Sequence, residues 1–173
     1  MKPVQCNAPR HAAAIREIFN DAIENSTALF EYEPRSEATM AAWFAAKQAG
    51  GFPVIGLETD DESLVGFASY GTFRAFPAFK YTVEHSVYVH RDHRGRGHGR
   101  VLLEALVARA EADGRHVLVG GIEAGNAASI ALHVSLGFTH AGTIRESGFK
   151  FGRWLDLAFY ERRLSTPTDP ADG

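Results

Sequence analysis

The sequence predicts a mixed α/β fold in which helices cover both faces of one sheet. Three observations carry this. Apolar residues recur at helical spacing in some segments and alternate in others. The two kinds of segment are interleaved along the chain, in the order β-α-α-β-β-β-α-β-α-β-β. At 173 residues, 45% hydrophobic and with 12 phenylalanines, the chain has the length of one domain and enough apolar mass for a substantial core.

The elements follow in order. Val4 to Cys6 reads as a short first strand. Asn7 suits the N-cap of a helix over Ala8 to Ile23, where Ile15, Ile18, Phe19, Ala22 and Ile23 recur at helical spacing. Ser36 caps a second helix carrying Met40, Trp43, Phe44 and Lys47, and Gly50-Gly51 ends it. The intervening Thr27 to Pro34 is unusually aromatic for a loop. Phe30 and Tyr32 there serve either core or interface packing or the wall of a pocket. Phe52 to Glu58 and Ser63 to Tyr70 are strands around an acidic turn. Tyr81 to Val89 is strongly strand-like, Val101 to Ala112 is a helix stopped by Gly114, and His116 to Glu123 is a strand. Asn126 caps a helix through Leu136, with Gly137 as its C-terminal glycine. Strands near Phe138 to Arg145 and Lys150 to Arg162 close the domain, 1–164. The polar 165–173 is expected to be a frayed, flexible tail.

Composition narrows the function. The net charge of −3 argues against a general nucleic-acid binder, which needs an excess of basic residues. Cys6 is the only cysteine, so neither an intrachain disulfide nor a Cys-rich metal site is expected. No signal-peptide h-region and no apolar run of membrane-span length stands out, so a cytoplasmic protein without a membrane partner is the default.

The most informative stretch runs from Val87-Tyr88-Val89 through His90-Arg91-Asp92-His93-Arg94-Gly95-Arg96-Gly97-His98-Gly99-Arg100 into Val101. A strand enters a turn rich in Gly and Arg, and the turn opens onto a helix. Free N–H groups at a helix start attract phosphate, glycine lets backbone approach it, and Arg94, Arg96 and Arg100 add charged donors. No Lys-Ser or Lys-Thr pair follows, as a P-loop requires. The glycines run G-x-G-x-G, not the G-x-G-x-x-G of a dinucleotide site. The bland alternative is a basic surface loop or a nucleic-acid patch.

Arg94 to Gly99 reads R-x-x-G-x-G, and here the chain resembles the GNAT superfamily of acetyl-CoA-dependent N-acetyltransferases. The resemblance implies a central, mixed but mostly antiparallel, twisted sheet, with this loop holding the pyrophosphate of coenzyme A. Asn126-Ala127-Ala128-Ser129 through His133 to Gly137-Phe138 resembles a second segment of the same family. That likeness places Asn126, and more weakly Ser135, on the cofactor. His133 stands where many relatives carry a Tyr that protonates the leaving thiolate. A helix-face histidine with only a packing role is the other reading.

Period-two alternation puts Thr82, Glu84, Ser86 and Tyr88 on one strand face and Val83, His85, Val87 and Val89 on the other. A carboxylate in an apolar strand needs a reason, because burying it unpaired is costly. Glu84 is either a solvated group on an edge strand or a general base for an amine attacking a thioester. GNAT enzymes often place an acid here. Backbone N–H groups of Val87 to Val89 would then steady the developing oxyanion.

Gly148-Phe149-Lys150-Phe151-Gly152-Arg153-Trp154-Leu155-Asp156, with Tyr81 to Val89, resembles the phosphinothricin and methionine sulfoximine acetyltransferase branch. That branch acetylates the α-amine of amino-acid analogues such as phosphinothricin, methionine sulfoximine and methionine sulfone. The resemblance implicates Arg74-Ala75-Phe76 and Glu84-His85-Ser86 in substrate binding. Arg74 is the candidate for the substrate carboxylate, or else a surface-loop arginine. The resemblance also implies a homodimer, with Lys150 and Trp154 serving either its contact or the fold, and acetyl-CoA as co-substrate; no metal is expected. The rival functions are acetylation of a polyamine, an aminoglycoside or a peptide N-terminus, a non-catalytic coenzyme A-binding module, and, least of all, nucleic-acid binding.

Overall fold

A computed structural model describes residues 1–172. The elements are β1 (Lys2–Gln5), α1 (Ala8–Asn25), α2 (Glu37–Ala49), β2 (Val54–Glu58), β3 (Leu64–Thr72), β4 (Thr82–Val89), α3 (His98–Ala112), β5 (Val117–Glu123), α4 (Ala127–Ser135), β6 (Thr139–Lys150) and β7 (Arg153–Arg163). The strands form a seven-stranded mixed sheet in the order β1-β2-β3-β4-β5-β7-β6, with β4 and β5 parallel. β1 with β2, β2 with β3, β5 with β7 and β6 with β7 pair antiparallel. The expected element order and fold class hold.

The chain divides into two compact units. The first is Met1–Ser69 with Val87–Ala105, and the second is Tyr70–Ser86 with Leu106 onward. In the first, the side chains of Asn7 and Ser36 accept hydrogen bonds from the Arg10 and Thr39 N–H groups, so both expected caps form. The apolar stripe of α1 buries Ile15, Ile18 and Phe19 against Met40, Phe44, Val54 and Phe67. Phe19 is the hub. Its ring meets Trp43, Phe67 and Tyr88 edge-on at 5.5, 4.9 and 5.2 Å, and the Arg35 guanidinium covers it at 3.7 Å. Leu29 of the aromatic loop packs on this core, whereas Tyr32 is 68% exposed.

In the second unit, Val83 of β4, Leu118, Val119 and Ile122 of β5, and Leu155 and Ala158 of β7 are buried, together with Phe138. Several boundaries differ from expectation, those of α3 and β6 among them. α3 begins at His98, since Gly97 already supplies the entry turn. β6 does not stop at Arg145 but continues to Lys150. A register irregularity between Ile144 and Gly148, with Glu146 at φ +51° and its N–H bound to Asp156, interrupts the alternation without ending the pairing. The Thr166 hydroxyl donates to the Arg115 carbonyl, the Thr166 carbonyl accepts from His116, and the Ala171 N–H donates to the Tyr81 hydroxyl at 3.2 Å.

Candidate active site

Glu84 lies on the half-buried face of β4, between Val83 and His85, which are buried on the other face. Burial raises its carboxyl pKa, and the charge of Arg74 opposes the rise without cancelling it. Gly121 makes room for the carboxylate, since a Cβ at that position would lie 3.2 Å from Oε1. Arg74 is exposed, stacks its guanidinium on Phe73 at 4.4 Å and donates to the Phe73 carbonyl at 2.9 Å. Ala75 is exposed beside it, and Phe76 is 71% exposed. Ser86 is half-buried on the Glu84 face. His85 separates from this group, because alternation turns its ring into the interior, where it meets His133.

The parallel ladder joins Thr82–His85 to Val117–Gly120, and among the described residues no β4–β5 pair follows His85–Gly120. β4 itself continues through Val87, Tyr88 and Val89, all half-buried. The turn after it has Gly95 at φ +74° and Gly97 at φ +83°, a region that disfavours L side chains. The Gly97 carbonyl accepts from the Arg100 and Val101 N–H groups, so α3 starts with the N–H groups of His98 and Gly99 in its unsatisfied first turn.

The expected arginines divide by environment. Arg94 donates to Asp21 at 2.6 Å and to the Val89 carbonyl at 3.1 Å, so it braces the turn. Arg100 pairs with Glu104 on its own helix. Arg96 pairs with no acidic side chain among the described residues and is exposed. The His98 imidazole is shifted down, by desolvation first and then by His93. Sequence reasoning missed Arg91, Glu17 and Asp21. Arg91 reaches Asp21 at 3.4 Å and Glu17 at 3.6 Å, so α1 supplies the acid that holds the basic turn. Nothing local marks such pairs, since their members stand 70 or more residues apart in the chain.

On α4, the Asn126 side-chain oxygen accepts from the Ser129 N–H at 3.1 Å and caps the helix, which leaves its NH2 for a ligand. Ser135 is exposed and its hydroxyl donates to the Leu132 carbonyl. His133 is buried. Its Nδ1 lies 2.7 Å from the Ser129 carbonyl oxygen and its Nε2 lies 2.9 Å from Nε2 of His85. Burial lowers the pKa of both rings. Among the described residues, no group of His, Cys, Asp or Glu is arranged to hold a metal.

The model of the acetyltransferase (GNAT) family matches residues 13–138. The chain belongs to that family. An L-methionine sulfoximine/L-methionine sulfone acetyltransferase of Pseudomonas paraeruginosa is 48% identical over 157 residues, 91% of each chain. A phosphinothricin N-acetyltransferase of Alcaligenes faecalis is 37% identical over 153 residues, 88% of this chain and 77% of the relative. A Salmonella typhimurium structure solved with its cofactor acetyl-CoA superposes with a TM-score of 0.93 at 43% identity, covering 99% of this chain and 98% of that one. The GNAT segments read from sequence thus fall on β4, the turn before α3, and α4.

Proposed function

We propose that this chain is an acetyl-CoA-dependent N-acetyltransferase. It acetylates the α-amine of small amino-acid analogues (methionine sulfoximine, methionine sulfone and phosphinothricin) by direct transfer. The observation that carries the reading is the half-buried Glu84, its pKa raised, on the strand that runs into the positive-φ turn. Three relatives of 48, 48 and 46% identity bear the sulfoximine/sulfone name, which supports those acceptors.

The residues fit the cofactor. The N–H groups of His98 and Gly99, the open backbone at Gly95 and Gly97, and the unpaired Arg96 suit a diphosphate. The Asn126 amide would donate to the pantetheine arm, and the Val87–Val89 backbone would hold the acetyl carbonyl. Acetyl-CoA, when bound, supplies an activated thioester. Glu84, as the carboxylate, takes one proton from the substrate ammonium directly or through water. The free amine would attack the thioester carbonyl, the C–N bond forming as the C–S bond breaks, and coenzyme A would leave as a thiolate that takes the amine's second proton through solvent. Arg74, with Ala75 and Phe76, meets the substrate carboxylate from the exposed side, and Ser86 shares the Glu84 face.

The chain acts as one acetyltransferase domain over 1–164, in the cytoplasm and as a homodimer. No helix of the described residues is long and apolar enough to cross a membrane. The β6–β7 hairpin supports the dimer. Phe149 (46%), Phe151 (59%) and Trp154 (59%) are exposed together, and Phe151 holds φ +51°, where Asn or Gly is cheaper. An exposed aromatic kept in that conformation fits a contact surface.

Thiol release from acetyl-CoA with a panel of acceptors tests the reading. Turnover confined to the three analogues is expected. Turnover only on spermidine or an aminoglycoside overturns the acceptor class, and binding of acetyl-CoA with no turnover on any amine overturns the enzyme.

A further inference from the structure

His85 and His133 touch through their Nε2 atoms, 2.9 Å apart, with the ring centroids 5.1 Å apart, the ring planes 28° from parallel, and both rings against Phe138. The contact is built into the backbone. His85 pairs with Gly120 across the parallel ladder, and a Cβ on Gly120 would lie 3.0 Å from Cε1 of His85 and 3.3 Å from Nε2 of His133. Only a glycine leaves both rings their places.

Proton positions follow from the acceptors. A carbonyl oxygen can only accept, so His133 carries its proton on Nδ1 and donates to Ser129. A neutral His133 therefore presents the Nε2 lone pair. Two lone pairs cannot face each other at hydrogen-bond distance, so His85 donates from its own Nε2. This leaves Nδ1 of His85 unprotonated, and no partner meets it in hydrogen-bond geometry; the Val119 backbone nearby favours the charged ring but is outweighed by burial and by His133. No acidic side chain of the described residues bonds to either ring to stabilise a cation. The rings' neighbours are the Ser129 carbonyl at 2.7 Å and, farther off at 3.5 Å, the Ser129 hydroxyl, with Phe138, Gly120 and the Val119 backbone, and Glu84 stands on the opposite face of β4.

We infer that His85 and His133 form a neutral pair sharing one proton, which fixes α4 to β4, and that His133 is a positioning residue and not the proton donor to the leaving thiolate. The pair links the two elements that carry chemistry. His85 adjoins Glu84 in the chain, and His133 lies on the helix that Asn126 caps. His133 has no proton to give toward the cofactor, because its one N–H is committed to the backbone of its own helix. The catalytic consequence rests on the acetyltransferase reading. The tautomer assignment does not.

Long-range 1H–15N spectra of the histidine-labelled, ligand-free chain test the assignment. Expected are an Nδ1–H tautomer for His133 and an Nε2–H tautomer for His85, neither titrating between about pH 8 and about pH 6. An Nε2–H tautomer on His133, or its titration inside that window, overturns the inference. Kinetics of folded variants test the role. His133→Gln keeps a carbonyl to accept from His85, and His85→Gln keeps an NH2 to donate to His133. Both should retain kcat within about tenfold, whereas an acid would lose about 100-fold or more in either His133 substitution. His85→Ala and His133→Ala should lower kcat alike, and the double variant no further. Near-normal turnover of His85→Ala, with His133→Gln as impaired as His133→Ala, overturns the positioning role. If no amine is turned over by the native chain, the acetyltransferase reading has failed, and the spectra still decide the pair.

Discussion

At the residue scale the balance is between burial and neighbouring charge. Glu84 is partly desolvated, and the Arg74 charge does not restore its ordinary pKa. Two outcomes follow. Glu84→Gln should cut kcat about 100-fold or more at neutral pH and leave acetyl-CoA binding, measured calorimetrically, nearly unchanged. Unchanged turnover would remove Glu84 as base. The same substitution should raise the melting temperature at neutral pH. A carboxyl whose folded pKa lies above its unfolded one contributes stability below the unfolded value, and that stability is lost as pH rises through the folded value. The amide removes the loss, so the advantage over the native chain should shrink in acid. The two histidines have the opposite sign. Their folded pKa values are depressed, so their contribution is present above the unfolded value near 6.5 and is lost as pH falls below it.

At the scale of elements, the turn between β4 and α3 depends on α1. Burial alone would raise the Asp21 carboxyl, but hydrogen bonds from Asn25, Arg94 and Arg91 and the Arg94 charge hold it below its ordinary value. Its contribution is therefore present above the unfolded carboxylate value and is lost in acid. Asp21→Asn should cost about 1 kcal/mol in chemical denaturation and weaken acetyl-CoA binding about fivefold. Unchanged affinity would show that the brace does not shape the turn. Gly66 on β3 is a second dependence, because a Cβ there would meet the Tyr88 carbonyl oxygen at 2.6 Å and the Val89 Cα at 3.1 Å. The obstacle is backbone and cannot swing aside. Gly66→Ala should destabilise by about 1–3 kcal/mol in thermal or denaturant unfolding.

At the scale of the whole molecule, the hairpin surface of Phe149, Phe151 and Trp154 makes association testable. Trp154→Glu should convert a dimer into a folded monomer in light scattering, with the turn at Gly95–Gly97 untouched. A native chain that is already monomeric in dilute solution would discard the dimer. Much of the architecture was legible in the chain. The caps at Asn7, Ser36 and Asn126, the α1 stripe and the alternation of β4 are local signals, and each is found where periodicity and capping chemistry put it. The start of α3 and the continuation of β6 were not legible, because a positive-φ glycine and a bulge blur the periodic pattern at those points.

By itself the sequence determined the element order, the mixed α/β class, the Gly-rich turn ahead of a helix and the odd carboxylate in an apolar strand. All of these are statements about neighbours along the chain, where propensity and spacing act. Tertiary structure alone decided which arginine is free and which is a brace, that α1 supplies the opposing acid, and that His85 turns from Glu84 toward His133. Those outcomes depend on which side chains meet after distant segments pack. Charge, burial and the place of a proton are properties of that meeting, and no local pattern encodes it.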